Sequence, residues 1–215
     1  MKTRISWIFY CLVSFMLLPS LSAAERFVTN ESNGFTWIQQ GKAYPILVDS
    51  QEDKGVLRAV ANLQTDAGKV TGATPEIIHS PSGNRILIVG SVENSSWIKQ
   101  LVQAGKIPAA DLKGKREKYI LQTVKQPVEG VEEAIVIAGS DKRGTIYGIY
   151  ELSRQMGVSP WYFWADVPVE KHDIISIKEG VYTDGEPAVK YRGIFLNDEW
   201  PSLGGWASAT FGGFN

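Results

Sequence analysis

The chain has 215 residues, 22 basic and 23 acidic, for a net charge of −1. That balance offers no basic face for nucleic acid or for an anionic membrane surface. The single cysteine, Cys11, excludes a disulfide framework, so an ordinary hydrophobic core has to hold the fold.

In chain order, Lys2 and Arg4 precede an apolar run from Ile5 to Leu18; Pro19 breaks it and Ser22, Ala23 and Ala24 close it. This is the pattern of a secretory signal, with cleavage expected after Ala24. The run is shorter than the roughly 20 residues of a membrane span. The processed chain would carry 20 basic against 23 acidic residues and no cysteine. It would reside in the periplasm or outside the cell, without membrane attachment.

Glu25 to Lys42 leads in, with a short hairpin expected around Asn33-Gly34. Tyr44 to Val48 reads as a strand. Asp49, Ser50 and Asp53 offer caps to a helix from Lys54 to Val70, whose apolar residues Val56, Leu57, Val60, Leu63 and Ala67 recur at spacings of three and four. Arg85 to Val89 is a strand, Ser95 to Ala104 a helix, Pro108 to Leu112 a short helix. Tyr119 to Val124 and Ala134 to Ala138 are strands. Ser140 or Asp141 caps a helix from Lys142 to Met156, and Gly157 ends it. One more strand lies within Asp173 to Thr183. Strands and helices alternating in this way predict an α/β layered domain over residues 25–185. The turn-rich "TDGEPA" marks its end, and Val189 to Leu196 reads as a new strand, apolar on both faces.

Gly139 to Gly148 has the glycine gap of a phosphate loop but no Lys-Ser/Thr after Gly144, so it reads as a strand-to-helix turn with close packing at Gly144 and Gly148. His79 and His172 stand alone, and no metal site is expected. There is no GxSxG elbow. The run Trp161, Tyr162, Phe163, Trp164 offers either core packing or stacking faces for sugar rings, and strand-like alternation would separate Trp161 and Phe163 from Tyr162 and Trp164. Trp164 is a candidate substrate contact.

The last strand runs into Asn197, Asp198 and Glu199. In a (β/α)₈ barrel, residues at the C-terminal ends of strands face the substrate. Asp198 and Glu199 are adjacent and point to opposite faces, so they cannot both flank one glycosidic bond.

The motifs "DKRGTIYGIYELSRQMGVSPWYFWADVPV", "VKYRGIFLNDEWP" and "GWASATFGGFN" resemble glycoside hydrolase family 115, the secreted xylan α-1,2-glucuronidases. The resemblance implies an N-terminal α/β domain followed by a (β/α)₈ barrel. It implies release of glucuronic acid or its 4-O-methyl derivative from xylan or glucuronoxylan oligosaccharides by inversion, with no cofactor. It places Asp198 in the catalytic centre and Asn197 and Glu199 at the substrate. A homodimer of the full-length enzyme is a further expectation. On this template residues 186–215 correspond to the start of a truncated barrel, so a polypeptide inactive by itself is expected, its last residues poorly ordered or docked on the α/β domain. The alternatives are a stand-alone secreted carbohydrate-binding or scaffolding module working through Trp161, Tyr162 and Trp164, and a periplasmic solute-binding protein.

Overall fold

A computed structural model of the chain describes residues 25–162, 165–195, 197, 199–200 and 203–211. The expected signal segment, Trp164 and Asp198 lie outside the described residues.

The strands are β1 (Val28–Thr29), β2 (Phe35–Gln39), β3 (Lys42–Ala43), β4 (Ile46–Val48), β5 (Ile77–Ile78), β6 (Arg85–Ser91), β7 (Tyr119–Lys125), β8 (Glu133–Gly139), β9 (Ile174–Ile177) and β10 (Val181–Tyr182). The helices are α1 (Lys54–Thr71), α2 (Ser96–Gln103), α3 (Lys142–Met156) and α4 (Trp206–Phe211), with one 3₁₀ turn at Ala109–Asp111. Six strands form one sheet in the order β10-β7-β8-β6-β4-β5. β5, β4, β6 and β8 run parallel, β7 is antiparallel to β8, and β10 to β7. The α/β domain expected from the alternating pattern is therefore present.

The central strands are buried on both faces, and their side chains divide by period two. Val48, Leu87, Val89, Ile135 and Ile137 face a core that holds α1 and α3. Leu47, Ile86, Ile88, Ala134, Val136 and Ala138 face a second core with Ile98 and Leu101 of α2. Strands covered on both sides must be continuously apolar, which is why "ILIV" and "AIVIA" carry no polar alternation.

Helix boundaries follow local chemistry. The Asp53 carboxylate accepts from the Gly55 N–H at 2.8 Å and opens α1; the Asp141 carboxylate accepts from the Gly144 N–H at 2.8 Å and opens α3. Such a cap contributes about 1 kcal/mol. Gly72 and Gly157 end the two helices in the left-handed conformation.

A smaller antiparallel sheet, β1-β9-β2-β3, lies on the α1–α3 side. β9 inserts between β1 and β2, so the hairpin expected at Asn33-Gly34 does not form. The hairpin falls instead between β2 and β3 at Gln40-Gly41, both with positive φ (52° and 72°), the turn whose twist matches its strands. β4 begins at Ile46 rather than at Tyr44, because Pro45 has no N–H to give the ladder. Gln155 of α3 ties the small sheet down: its Oε1 accepts the N–H groups of Phe27 (2.8 Å) and Val28 (3.2 Å).

Residues 139–148 form the closely packed strand-to-helix turn expected from their glycines. A Cβ on Gly144 would stand 2.2 Å from the carbonyl oxygen of Lys118. Alanine gains about 1 kcal/mol of helix propensity there, but backbone has to move to admit the methyl, at about 1–3 kcal/mol or more. We expect Gly144→Ala to lower stability by about 1–2 kcal/mol in denaturant unfolding, the clash with fixed backbone outweighing the propensity. An unchanged or raised midpoint would show that the contact is looser than this.

Candidate functional site

The acidic tip is the first candidate. Residues 189–195 form no strand, which corrects the sequence expectation. Tyr191 (83 %), Phe195 (91 %) and Trp200 (88 %) are largely exposed. The period-two pattern is present, but an extended segment becomes a strand only when a neighbouring edge takes its N–H and C=O groups. No described strand pairs with it. Asn197 and Glu199 are exposed and share one local contact, the Glu199 N–H donating to Asn197 Oδ1 at 3.1 Å. That is an Asx turn, a stable way to turn the chain and not by itself a catalytic arrangement. Among the described residues no ion pair joins Glu199 to the α/β domain.

The stretch leading to this tip is held at several points. The Tyr119 hydroxyl donates to Asp184 Oδ2 at 2.8 Å, and burial together with this carboxylate pushes the phenol well above its usual range. The Arg116 N–H donates to Glu186 Oε1 (2.8 Å), and its guanidinium to the Pro187 carbonyl (2.7 Å). Arg192 donates to Glu117 and, at 2.9 Å, to the Tyr147 hydroxyl. Arg143 reaches the other oxygen of Glu117 at 3.3 Å and the same tyrosine hydroxyl at 3.0 Å. Both guanidinium groups also lie near the Tyr147 ring, with centroid distances of 5.9 and 5.6 Å. The Arg192 hydrogen bond, opposed by burial and aided by Arg143, holds the Glu117 carboxyl below the usual carboxylate range. Glu117 itself has φ +54°, uncommon for a side chain of its size, and its N–H donates to Asp141 Oδ2 at 2.8 Å.

A second candidate is a cavity of about 560 Å³ between α1 and α3, lined by Asp66, Lys69, Tyr150, Arg154 and Tyr162 among others. Residues 160–162 form a turn, so strand-like alternation does not hold for Trp161 and Tyr162; Phe163 and Trp164 lie outside the described residues. Tyr162 packs at the edge of the core with the Lys69 ammonium 4.3 Å from its ring centroid, while Trp161 is exposed. Burial pushes the Asp66 carboxyl up, against the pull of Ser153 and Lys69. Aromatic faces beside polar groups suit a polar, ring-shaped ligand.

The third place to search is the switch point between β4 and β6, where parallel sheets commonly hold ligands at the carboxyl ends of the strands. Here the protein fills it. The buried Glu52 carboxylate accepts from the Ser91 N–H (2.6 Å) and hydroxyl (3.0 Å). Asp49 accepts from the Ser96 N–H (2.9 Å) and hydroxyl (2.5 Å). Burial pushes the Asp49 carboxyl up, but these hydrogen bonds outweigh it and hold it below its usual value. His79 Nδ1 lies 2.9 Å from the Val48 carbonyl and His172 Nε2 lies 3.5 Å from Glu170. Among the described residues no group of three or more His, Cys, Asp or Glu side chains could hold a metal ion.

The contacts on residues 184–192 were not visible in the sequence. Glu117 and Arg192 are 75 positions apart, and no local spacing signals the pair.

Comparison with known proteins gives two family matches. Residues 39–152 match the glycosyl hydrolase family 67 N-terminus, and residues 184–215 match glycosyl hydrolase family 115. Among solved structures, a family GH115 4-O-methyl-α-glucuronidase described as specific for decorated arabinogalactans is 32 % identical, with a TM-score of 0.66. The match covers 84 % of this chain and 22 % of that one. The GH20 β-N-acetylhexosaminidase from Streptomyces coelicolor A3(2) is 16 % identical over 74 % of this chain and 25 % of its own, with a TM-score of 0.41. A Flavobacterium johnsoniae chitobiase is 12 % identical over 80 % and 21 %, also at 0.41. No curated protein matches.

Proposed function

We propose that this chain, which belongs to the glycosyl hydrolase family 67 N-terminus over residues 39–152 and matches glycosyl hydrolase family 115 over residues 184–215, serves an α-glucuronidase as its N-terminal α/β domain and as the carrier of one corner of the active site. The chain spans about a fifth of the length of the 32 %-identical GH115 glucuronidase. The observation that supports this reading most is the run of contacts binding residues 184–192, where the family 115 match begins, to the α/β domain.

The substrate class is a glucuronate or 4-O-methylglucuronate side chain on a xylan or a related plant polysaccharide. Hydrolysis with inversion needs a general acid and a general base with room for water between them, roughly 6.5–9.5 Å apart. Asp198 supplies or orients one of these groups, while Asn197 and Glu199 contact the sugar. The partner acid and the cations that bind the uronate carboxylate come from further barrel strands. Residues 1–24 direct export, on the strength of their charged start, apolar run and small-residue close.

The purified 215-residue chain tests this with a short aldouronic oligosaccharide. We expect no release of glucuronic acid, because one short segment cannot by itself form the closed barrel that the site needs; turnover by this chain would contradict the proposal. A second reading, a carbohydrate-binding module, draws on the Tyr162-lined cavity between α1 and α3. Titration of the same sample with xylooligosaccharide separates the two: saturable binding abolished by Tyr162→Ala favours the module.

A further inference from the structure

Residues 184–192 carry no regular structure after β10, yet side chains hold them at three places along the domain. Asp184 meets Tyr119, Glu186 meets Arg116, and Arg192 meets Glu117. The partners rise along the chain on one side and lie within residues 116–119 on the other, at the start of β7. α3 closes the seat from above with Arg143 and Tyr147. Glu117 sits at its centre. Its side chain is 7 % exposed, against 33 % for Arg192, and it receives both arginines. A carboxylate this enclosed is stable only with its cations in place. The backbone around it is fixed: its positive φ is held by the N–H bond to Asp141, and the neighbouring Lys118 is gripped by Ser140 and by the close approach of Gly144.

We propose that Glu117 is a positioning residue: with Arg143 and Tyr147 it seats Arg192 and thereby fixes where the segment bearing Asn197, Asp198 and Glu199 leaves the α/β domain. The seat lies in the stretch matching the family 67 N-terminus, and the seated residues open the stretch matching family 115. The α/β domain is then the foundation on which the first acidic corner of the active site is placed. This rests on the function proposed above for residues 197–199.

The test uses chymotrypsin on the purified chain, because Tyr191 and Phe195 flank the seated arginine and are exposed. Glu117→Gln and Arg192→Gln should each raise cleavage at those two sites about threefold to tenfold, as local opening becomes easier. The double variant should be cleaved no faster than the faster single one, because both changes remove the same contact. Glu117→Asp, which keeps the charge, should recover part of the protection. Arg192 is half-exposed and its replacement leaves the core intact, so the experiment does not depend on Glu117→Gln folding well. Unchanged cleavage in both single variants, or effects that multiply in the double variant, would overturn the proposal. Cleavage reports the seat without any sugar. A failure of the glucuronidase reading therefore shows as absent hydrolysis while the cleavage pattern stands.

Discussion

Trp37→Ala should lower stability more than any other single core truncation in this chain. Trp37 is 1 % exposed and heads the fully buried side chains by size. It lies on β2 in the small sheet, and its indole N–H donates to the Tyr44 carbonyl at 2.8 Å. Alanine removes the ring and leaves a cavity in the core cluster that also holds Phe27, Phe35 and Ile177. The usual cost of such a truncation is about 3–5 kcal/mol. The Tyr44 carbonyl also loses a donor, at about 1 kcal/mol more. A domain of this size has about 5–15 kcal/mol to lose, so the variant stays folded at 25 °C only if the wild type is well inside that range. For a chain of 150–250 residues the melting temperature should fall by about 10 °C or more. A shift under about 3 °C would mean that the small sheet is not part of the cooperative core.

The largest effect on activity should come from Asp198→Ala, measured where the rest of a barrel is present. A general acid or base contributes about 10²–10⁴-fold, so we expect kcat to fall about a thousandfold. On the proposed roles, Asn197→Ala and Glu199→Ala each remove a hydrogen bond to substrate and should each cost about tenfold. The contrast matters more than either value. The proposal gives the catalytic role to Asp198 and a substrate contact to its neighbour Glu199. A larger loss at Glu199 would exchange their roles.

How much of this was legible in the sequence depended on how local the cause was. α3 was predicted with its observed bounds because its apolar stripe lies within it and its caps, Asp141 and Gly157, lie immediately at its ends. α1 and β6 to β8 came out nearly as well, since a buried strand needs only its own apolar run. The two-residue strands β1, β3, β5 and β10 were missed, because two residues carry no period. β9 pairs with β1 and β2 from about 140 positions away, so the insertion that displaced the Asn33-Gly34 hairpin had no local sign. The Gln40-Gly41 turn did have one: a glycine between two short strand-like runs. The stretch 189–195 failed for the opposite reason. Its pattern was clear, but a strand is a relation between two segments, and no described strand pairs with it. The charged seat was invisible because Arg116, Glu117 and Arg192 each look like ordinary surface residues until the fold brings them together.

The central claim is that residues 25–215 are the α/β domain and first acidic corner of an α-glucuronidase. The most direct measurement splices these residues in place of the matching segment of the GH115 4-O-methyl-α-glucuronidase. Release of 4-O-methylglucuronic acid by this folded chimera is then compared with release by its Asp198→Ala variant. The account predicts turnover by the chimera and a loss of about a thousandfold in the variant. A chimera that folds but releases nothing, or one that works equally well without Asp198, would contradict it.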